Sequence, residues 1–511
     1  MNHRERYIYW RLAYSLISDH GYRIIQLFED QNELWLEKIE NKKVPIIRLL
    51  LHDLAWSNAM QRDIEFTASN GERVRKQTGK NEMNVINIYI SEFPPVDDYE
   101  YRLSTPFVFP EGNKTTVNSI LLAKGELEKG LGCISEWLGA EVHFPVQDTY
   151  SEQEVEEMNK AALHHAVKEA KAEKEILFNG KPFFTYAFMT IQIVVFLWLQ
   201  IHGGSTNNST LMKYGAKVNQ LIYQGEWWRF ITPVFIHIGF MHLAMNTLAL
   251  YFLGVTVERI FGNVRFPFIY LFAGLTGVIA SFIFSPNLSA GASGAIYGCF
   301  GALLYFGIIY PKLFSRTLGM NLIIVLAINL VFSFTAAGVD NAGHLGGLAG
   351  GFLAAGIVHF PNKKKLFLQL LFLIASAAIV GGALIYGFSK SAHSDDEYSY
   401  LLVAQEYVSQ EKYDSAYQVL KESEEKGVTL SEKTYFLLSF VEIKKNLLTD
   451  AKAHLQRAIK LEPNFDEAYF NLALINMEQG DLLQAKANAE KAAKLEPDNK
   501  QYSDLIQEMK Q

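Results

Sequence analysis

Two histidines and a serine stand at the openings of three apolar stretches: His242 in HLAMN, Ser293 in SAGASGAIYG and His344 in AGHLGGLAGG. A serine becomes a nucleophile when a base takes its proton, and the oxyanion that follows needs hydrogen-bond donors aimed at it. Ionisable side chains inside an apolar span are costly and point to function by default. This chemistry casts Ser293 as nucleophile and His344 as general base. His242 and Asn246 would stabilise the oxyanion, together with the unpartnered first amides of the helix that Ser293 opens. His242 with Asn246, and Ser293 with Tyr297, are spaced i, i+4, so each pair projects from one helix face one turn apart. Tyr297 is expected to stack on His344 and fix its ring. Gly291 and Gly294 are expected to admit a substrate backbone, and Gly347 with Gly351 to allow close packing of the helix that carries His344. The serine's neighbours alone do not decide the matter. Position 295 is Ala, so the segment is not the Gly-x-Ser-x-Gly elbow of soluble hydrolases, and small residues around a serine also serve tight helix packing.

What must bring these residues to one depth is a set of membrane spans. The chain has 511 residues, and its 49% apolar content is unevenly spread, with a middle far more apolar than either flank. Seven stretches can cross a hydrocarbon core of about 30 Å: 183–201, 241–257, 266–284, 292–309, 320–337, 342–360 and 366–388. Lys168, Lys171, Lys174 and Lys181 precede the first. Arg259 and Arg265 join the second and third, Lys312 and Arg316 the fourth and fifth, and Lys363, Lys364 and Lys365 the sixth and seventh. Basic loops stay in the cytosol, so the second, fourth and sixth stretches all open at the outer face. Asp395, Asp396 and Glu397 follow the seventh. The expected topology is a cytosolic N-terminus and an extracytoplasmic C-terminus in the cell membrane.

The flanks read as soluble regions. Residues 1–180 are expected to form a cytosolic α+β domain ending in a helical linker: an amphipathic opening at 7–17, strands at 22–28, 34–39 and 45–51, a helix from 54 to about 76 and a strand at 84–90. A looser section with Pro94, Pro95, Pro106 and Pro110 follows. The αβββαβ order faintly resembles the core of nuclease-like domains, but Glu37, Lys38, Glu40 and Lys42 form no convincing cluster. His52, Asp53 and Asp63 leave room for a cation there, or the surface for a cytosolic partner. The linker, 152–175, holds His164 and His165, which face different ways and cannot chelate together. No signal peptide is read at the start. Cys133 and Cys299 lie in no disulfide or zinc spacing. From 391 to 511 an extracytoplasmic helical region is expected. AKAHLQRAIKLEP at 451–463 returns as AKANAEKAAKLEP at 485–497, an offset of 34 residues. With Tyr469, Leu472, Ala473, Ala485, Ala492 and Pro497 it resembles tetratricopeptide helix pairs, with Asn476 in place of the usual aromatic. A weaker copy around 406–420 makes about three units of an α-solenoid, a protein- or peptide-binding architecture.

Taken together, WWRFITPVF with Trp228 and Arg229, HLAMN, the GASG serine followed by Tyr297, and AGHLGGLAGG, in this order within 181–390, resemble the rhomboid intramembrane serine proteases: a six-helix polytopic core plus a seventh span. The flanking regions are similar to those of a bacterial subgroup with a soluble N-terminal domain and C-terminal repeats. The resemblance implies a Ser293/His344 dyad with no obligatory carboxylate, transmembrane proteins as substrates, no cofactor or metal and no nucleic-acid partner. Glu258 fits the family as a structural anchor. Two other classes compete. A catalytically silent relative would bind membrane clients as an adaptor, and a channel or transporter would use His242 and His344 as ligands. Asp340, four residues before His344, is a candidate third member, while the His-Glu-x-x-His signature is absent and His237 lies on the wrong face to pair with His242 along a helix.

Overall fold

A computed structural model describes all residues except 1, 113, 337, 362, 364, 390–396 and 510–511. Lys364, Asp395 and Asp396, used above to orient the chain, lie outside the described residues. Two compact units emerge, Met1–Leu177 and Phe178–Gln511.

The first unit begins with α1 (His3–Ser18), then β1 (Arg23–Leu27), β2 (Glu33–Glu37), β3 (Ile46–Leu51), α2 (Ser57–Thr78), β4 (Met83–Ile90), α3 (Glu100–Ser104), β5 (Phe107–Val108), β6 (Thr115–Leu122), α4 (Leu127–Leu138) and α5 (Glu152–Leu177). The six strands lie in the order β1-β2-β3-β4-β6-β5, with β3, β4 and β6 parallel. IIRLLL in β3 and MNVINIYI in β4 are buried on both faces, as the middle of a parallel sheet requires. Two strands and α4 arise from the section that the sequence left as loose. TTVNSILL in β6 becomes a continuous apolar run only in its last residues, and the prolines on either side mask it. α5 also departs from a plain linker. It buries Val155 and Ala162 in the same core as Tyr9, Leu12 and Leu16 of α1.

Arg48, 1% exposed, is the cost of placing a charge in that sheet. Its guanidinium donates to Glu33 Oε1 at 2.8 Å, Asp63 Oδ2 at 2.6 Å, Thr67 Oγ1 at 2.8 Å and Asn87 Oδ1 at 3.2 Å. A buried charge persists only when paired in this way. Asp63 is thereby engaged, and Asp53 accepts from Ser91 Oγ and the Glu92 amide, both at 2.9 Å. The cation considered for His52, Asp53 and Asp63 gains no support: both carboxylates serve internal partners, and no group of three His, Cys, Asp or Glu able to hold a metal occurs among the described residues.

The second unit opens with α6 (Phe184–Ile201). A long connection holds α7 (Asn208–Lys213), α8 (Asn219–Tyr223) and two 3-10 turns at 227–230 and 232–235. α9 (Phe240–Phe261), α10 (Arg265–Phe284), α11 (Ser293–Ile309), α12 (Pro311–Phe314), α13 (Met320–Thr335), α14 (Asn341–Val358) and α15 (Leu366–Gly387) follow. Each expected span is a helix to within a few residues. Among the described residues, five segments are long and apolar enough to cross a membrane: 184–201, 240–261, 265–284, 311–335 and 366–387. α11 has 17 residues and α14 is rich in glycine, whose near-neutral hydropathy dilutes the signal.

Glu258 is buried where α9 meets the start of α6. Its carboxylate accepts from the amides of Phe183 and Phe184 at 2.9 Å and of Thr185 at 2.8 Å, from Thr185 Oγ1 at 2.7 Å and from Asn263 Nδ2 at 3.0 Å. The free amides of a helix N-terminus attract an anion. One side chain thus caps α6 and ties it to α9.

The repeats comprise α16 (Glu397–Ser409), α17 (Tyr413–Glu425), α18 (Glu432–Lys444), α19 (Leu448–Leu461), α20 (Asp466–Glu478), α21 (Leu482–Leu495) and α22 (Lys500–Glu508). The three helix pairs open at Glu397, Glu432 and Asp466, 35 and 34 residues apart. Ala451, Leu455, Ala468 and Leu472 join successive pairs in one core, the stacking that a solenoid needs. Asn476 is buried there, and its Oδ1 accepts from Lys452 Nζ at 2.7 Å. Tyr400, Val403 and Leu438 of the repeats share an apolar cluster with Met212 and Val218 beside α7 and α8, and Gln220 Nε2 donates to Glu422 Oε2 at 3.2 Å.

Candidate active site

Ser293 is the first residue of α11, following Gly291 at φ +144° and Ala292. That turn is braced from the connection after α6. The Gly291 amide donates to Pro233 O at 2.9 Å, Lys217 and Ser289 exchange backbone hydrogen bonds, and Lys217 Nζ binds the carbonyls of Ser285 and Asn287. Arg229 holds the connection itself together through Glu226 and Ala216 O. The serine therefore sits on a helix start whose approach is fixed from both sides.

Tyr297, one turn further on, lies parallel to His344: ring centroids are 4.2 Å apart and the planes differ by 13°. Such offset contacts between flat rings are favourable and directional. On its other side His344 meets Ser333 of α13, whose Oγ is 2.8 Å from Nδ1. Ser333 Oγ also donates to Asn341 Oδ1 in the first turn of α14. Neither residue stood out in the sequence. The available signal was a lone serine in the last turn of α13, beside the opening of α14. Asp340 is engaged elsewhere: Oδ2 accepts from Ser289 Oγ at 2.6 Å and Oδ1 caps α14 through the Gly343 amide at 2.9 Å. As a third catalytic member it is therefore set aside.

His242 Nδ1 accepts from the Ile238 amide at 3.4 Å, which leaves the ring proton on Nε2. Nε2 lies beside Gly291: a Cβ built there would come within 2.6 Å of His242 Cε1 and 2.8 Å of Nε2. Asn246 Nδ2 donates to His242 O at 2.9 Å, which uses one of its two amide protons. His237 joins this group although the spacing argued against it. It lies in the connection rather than on α9, so its ring reaches 5.3 Å from that of His242, and its Nε2 accepts from the Ala292 amide at 3.4 Å.

Gly291 makes room for His242, and Gly294 lies against Gly343 O, 3.2 Å from where its Cβ would stand, while both glycines also line the cavity at Ser293. A Cβ on Gly347 would run into Gly294 O, and one on Gly351 into Gly298 O, so α11 and α14 touch backbone to backbone. Ser293, Tyr297, His344, His242 and Asn246 all line one cavity of about 1140 Å³, which continues between α9 and α13 past Thr317 and Asn321.

The Rhomboid domain model matches residues 224–361, and tetratricopeptide repeat models match 441–480 and 466–499. The chain is 39% identical to Rhomboid protease GluP of Bacillus subtilis over 465 residues, covering 89% of each chain. It belongs to the rhomboid family. Rhomboid protease AarA of Providencia stuartii is 26% identical over 45% of this chain and 89% of its own, and the putative rhomboid protease YdcA of Bacillus subtilis 36% identical over 26% of this chain and 67% of its own. The similarity to GluP extends well beyond the rhomboid domain into both flanks. This rhomboid is thus a multi-pass membrane protein with a sheet-containing N-terminal domain and C-terminal tetratricopeptide repeats.

Proposed function

We propose that this rhomboid is an intramembrane serine endopeptidase that cleaves membrane proteins in or near their transmembrane segments. The observation that carries the reading is the convergence of Ser293, His344 and His242 on one cavity among apolar helices. Ser293 Oγ attacks the scissile carbonyl while its proton passes to His344 Nε2. The oxyanion takes hydrogen bonds from His242 Nε2, from Asn246 and from the first amides of α11, an arrangement that stabilises charge only as it develops. His344 returns the proton to the leaving amine, and a water then repeats the sequence on the acyl-serine. Tyr297 keeps the His344 ring in place, and Gly291, Gly294, Gly347 and Gly351 set the close packing.

In this reading residues 1–180 form a cytosolic domain, 181–390 a seven-span membrane domain and 391–511 an extracytoplasmic repeat domain that captures clients, while the N-terminal domain senses or recruits. The basic residues on alternate connections support that orientation. The test is cleavage of a single-span substrate in liposomes together with labelling by a fluorophosphonate. Ser293→Ala and His344→Ala are expected to abolish cleavage, and Ser293→Ala to abolish labelling, with thermal unfolding unchanged. Undiminished cleavage by either variant would sink the dyad. Purified wild-type protein that binds clients but neither cuts nor labels would establish an adaptor instead.

A further inference from the structure

The partner of His344 Nδ1 is a hydroxyl on another helix, and the direction of its hydrogen bonds can be assigned. Ser333 is 1% exposed, and its Oγ contacts Asn341 Oδ1 and His344 Nδ1 and also pairs with the Tyr297 hydroxyl, which can turn its own proton toward Oγ. An amide oxygen only accepts, so the single hydroxyl proton goes to Asn341. Oγ is then left to accept, and His344 must carry its proton on Nδ1. A neutral imidazole with a proton on Nδ1 has its lone pair on Nε2. Asp340, the nearest carboxylate in sequence, is taken by Ser289 and the Gly343 amide.

We propose that Ser333, polarised by Asn341, is a positioning residue that holds His344 in the tautomer and orientation able to deprotonate Ser293. The proposal rests on the dyad reading above. A carboxylate here would be a charge inside a span, which costs several kcal/mol unless compensated. A hydroxyl fixes the same ring nitrogen without that charge, and the stacked Tyr297 fixes the plane of the ring. The two constraints act on different coordinates, one on rotation about the ring normal and on proton placement, the other on tilt. Asn341 is the element that makes a serine suffice. Without it, Oγ could turn its own proton toward Nδ1 and stabilise the opposite tautomer, which presents Nε2–H to Ser293 and cannot accept a proton.

The experiment compares Ser333→Thr, which keeps the hydroxyl, with Ser333→Val, which has nearly the same shape without it, in full-length protein. Ser333→Thr is expected to stay within about threefold of wild-type kcat, and Ser333→Val to lose about 10- to 100-fold in kcat at unchanged KM, a share of the loss that a wrong tautomer causes in a triad. Asn341→Asp, which still only accepts from the serine, should keep activity, and Asn341→Ala should lose about as much as Ser333→Val. Equal kcat for the Thr and Val variants, or for the Asp and Ala variants, overturns the proposal. Ser293→Ala and His344→Ala run alongside: if they still cleave, it is the dyad that fails, whereas if they are dead while Thr and Val are equal, only the positioning role fails. Should both Ser333 variants unfold, the Asn341 pair decides alone.

Discussion

The rings of Tyr297 and His344 lie parallel, 4.2 Å between centroids, although they come from different helices whose backbones are in contact. Aromatic pairs contribute about 0.5–1.5 kcal/mol beyond area burial. Tyr297→Phe keeps the stacked ring and is expected to retain kcat within about threefold. Tyr297→Ala frees the imidazole and should cost about tenfold in kcat. Steady-state cleavage in liposomes checks both, and equal rates for the two variants would remove the stacking role.

His242 offers Nε2–H because its Nδ1 accepts from the Ile238 amide. Removing one oxyanion donor costs about 10²–10³ in kcat, so His242→Ala should fall in or somewhat below that range while fluorophosphonate labelling of Ser293 survives at a reduced rate. A wild-type turnover number for His242→Ala would take His242 out of the oxyanion site.

Glu258 satisfies five donors from one buried carboxylate. Glu258→Gln puts an amide nitrogen among N–H groups that already point at it and removes the charge. Losing charged hydrogen bonds of this kind costs about 1.5–3 kcal/mol each, so a drop of several degrees in the detergent Tm is expected, with kcat of the surviving folded protein little changed. An unaltered Tm would show that α6 needs no cap.

Gly347→Ala tests the contact between α11 and α14. Its Cβ meets a backbone carbonyl, which cannot swing aside as a side chain can. Overpacking of this kind costs about 1–3 kcal/mol or more, and Gly347→Val should yield no folded protein. Normal expression and Tm for Gly347→Val would mean that the helices stand further apart.

In the repeats, burial opposes ionisation of Glu424, but hydrogen bonds from Lys421 and Arg457, aided by His454, prevail and hold its carboxyl at about 2. The folded value lies below the ordinary 4.5 of the unfolded chain, so this group stabilises the repeats fully above about pH 4.5 and progressively less as pH falls toward 2. Glu424→Gln should flatten the fall of repeat stability between pH 5 and pH 3, read by limited proteolysis of α17 to α19 in the full-length protein. An unchanged pH dependence would assign the acid sensitivity to other carboxylates.

Apolar runs are long, so each of the seven helices was legible in the sequence to within a few residues, and the 34-residue echo exposed the last two repeats at once. β6 was hidden because a strand of eight residues with Thr, Asn and Ser among its first five carries neither alternation nor a clean apolar run. Around the site, the helix openings at His242, Ser293 and His344 announced themselves by residue type. Ser333 and His237 did not, since a hydroxyl or a loop histidine has no spacing rule that ties it to a distant helix. Gly291 and Gly294 were legible as necessary small residues, while what they make room for, His242 and the Gly343 carbonyl, depends on packing that only the three-dimensional structure contains.

The contacts of Gly347 with Gly294 and of Gly351 with Gly298 recur every four residues, and Gly343 extends the row by one more step. A slide of α14 along α11 by four residues, about 6 Å, would again lay glycine against glycine. The row therefore dictates how near the two helices come but is degenerate in how they are aligned. Alignment is chosen where α14 begins, by the bonds of Ser289 to Asp340 and of Ser333 to His344, which such a slide would break together. Distance and alignment in this rhomboid core are thus encoded by separate sets of residues, one apolar and repetitive, the other polar and unique, and either can vary without erasing the other.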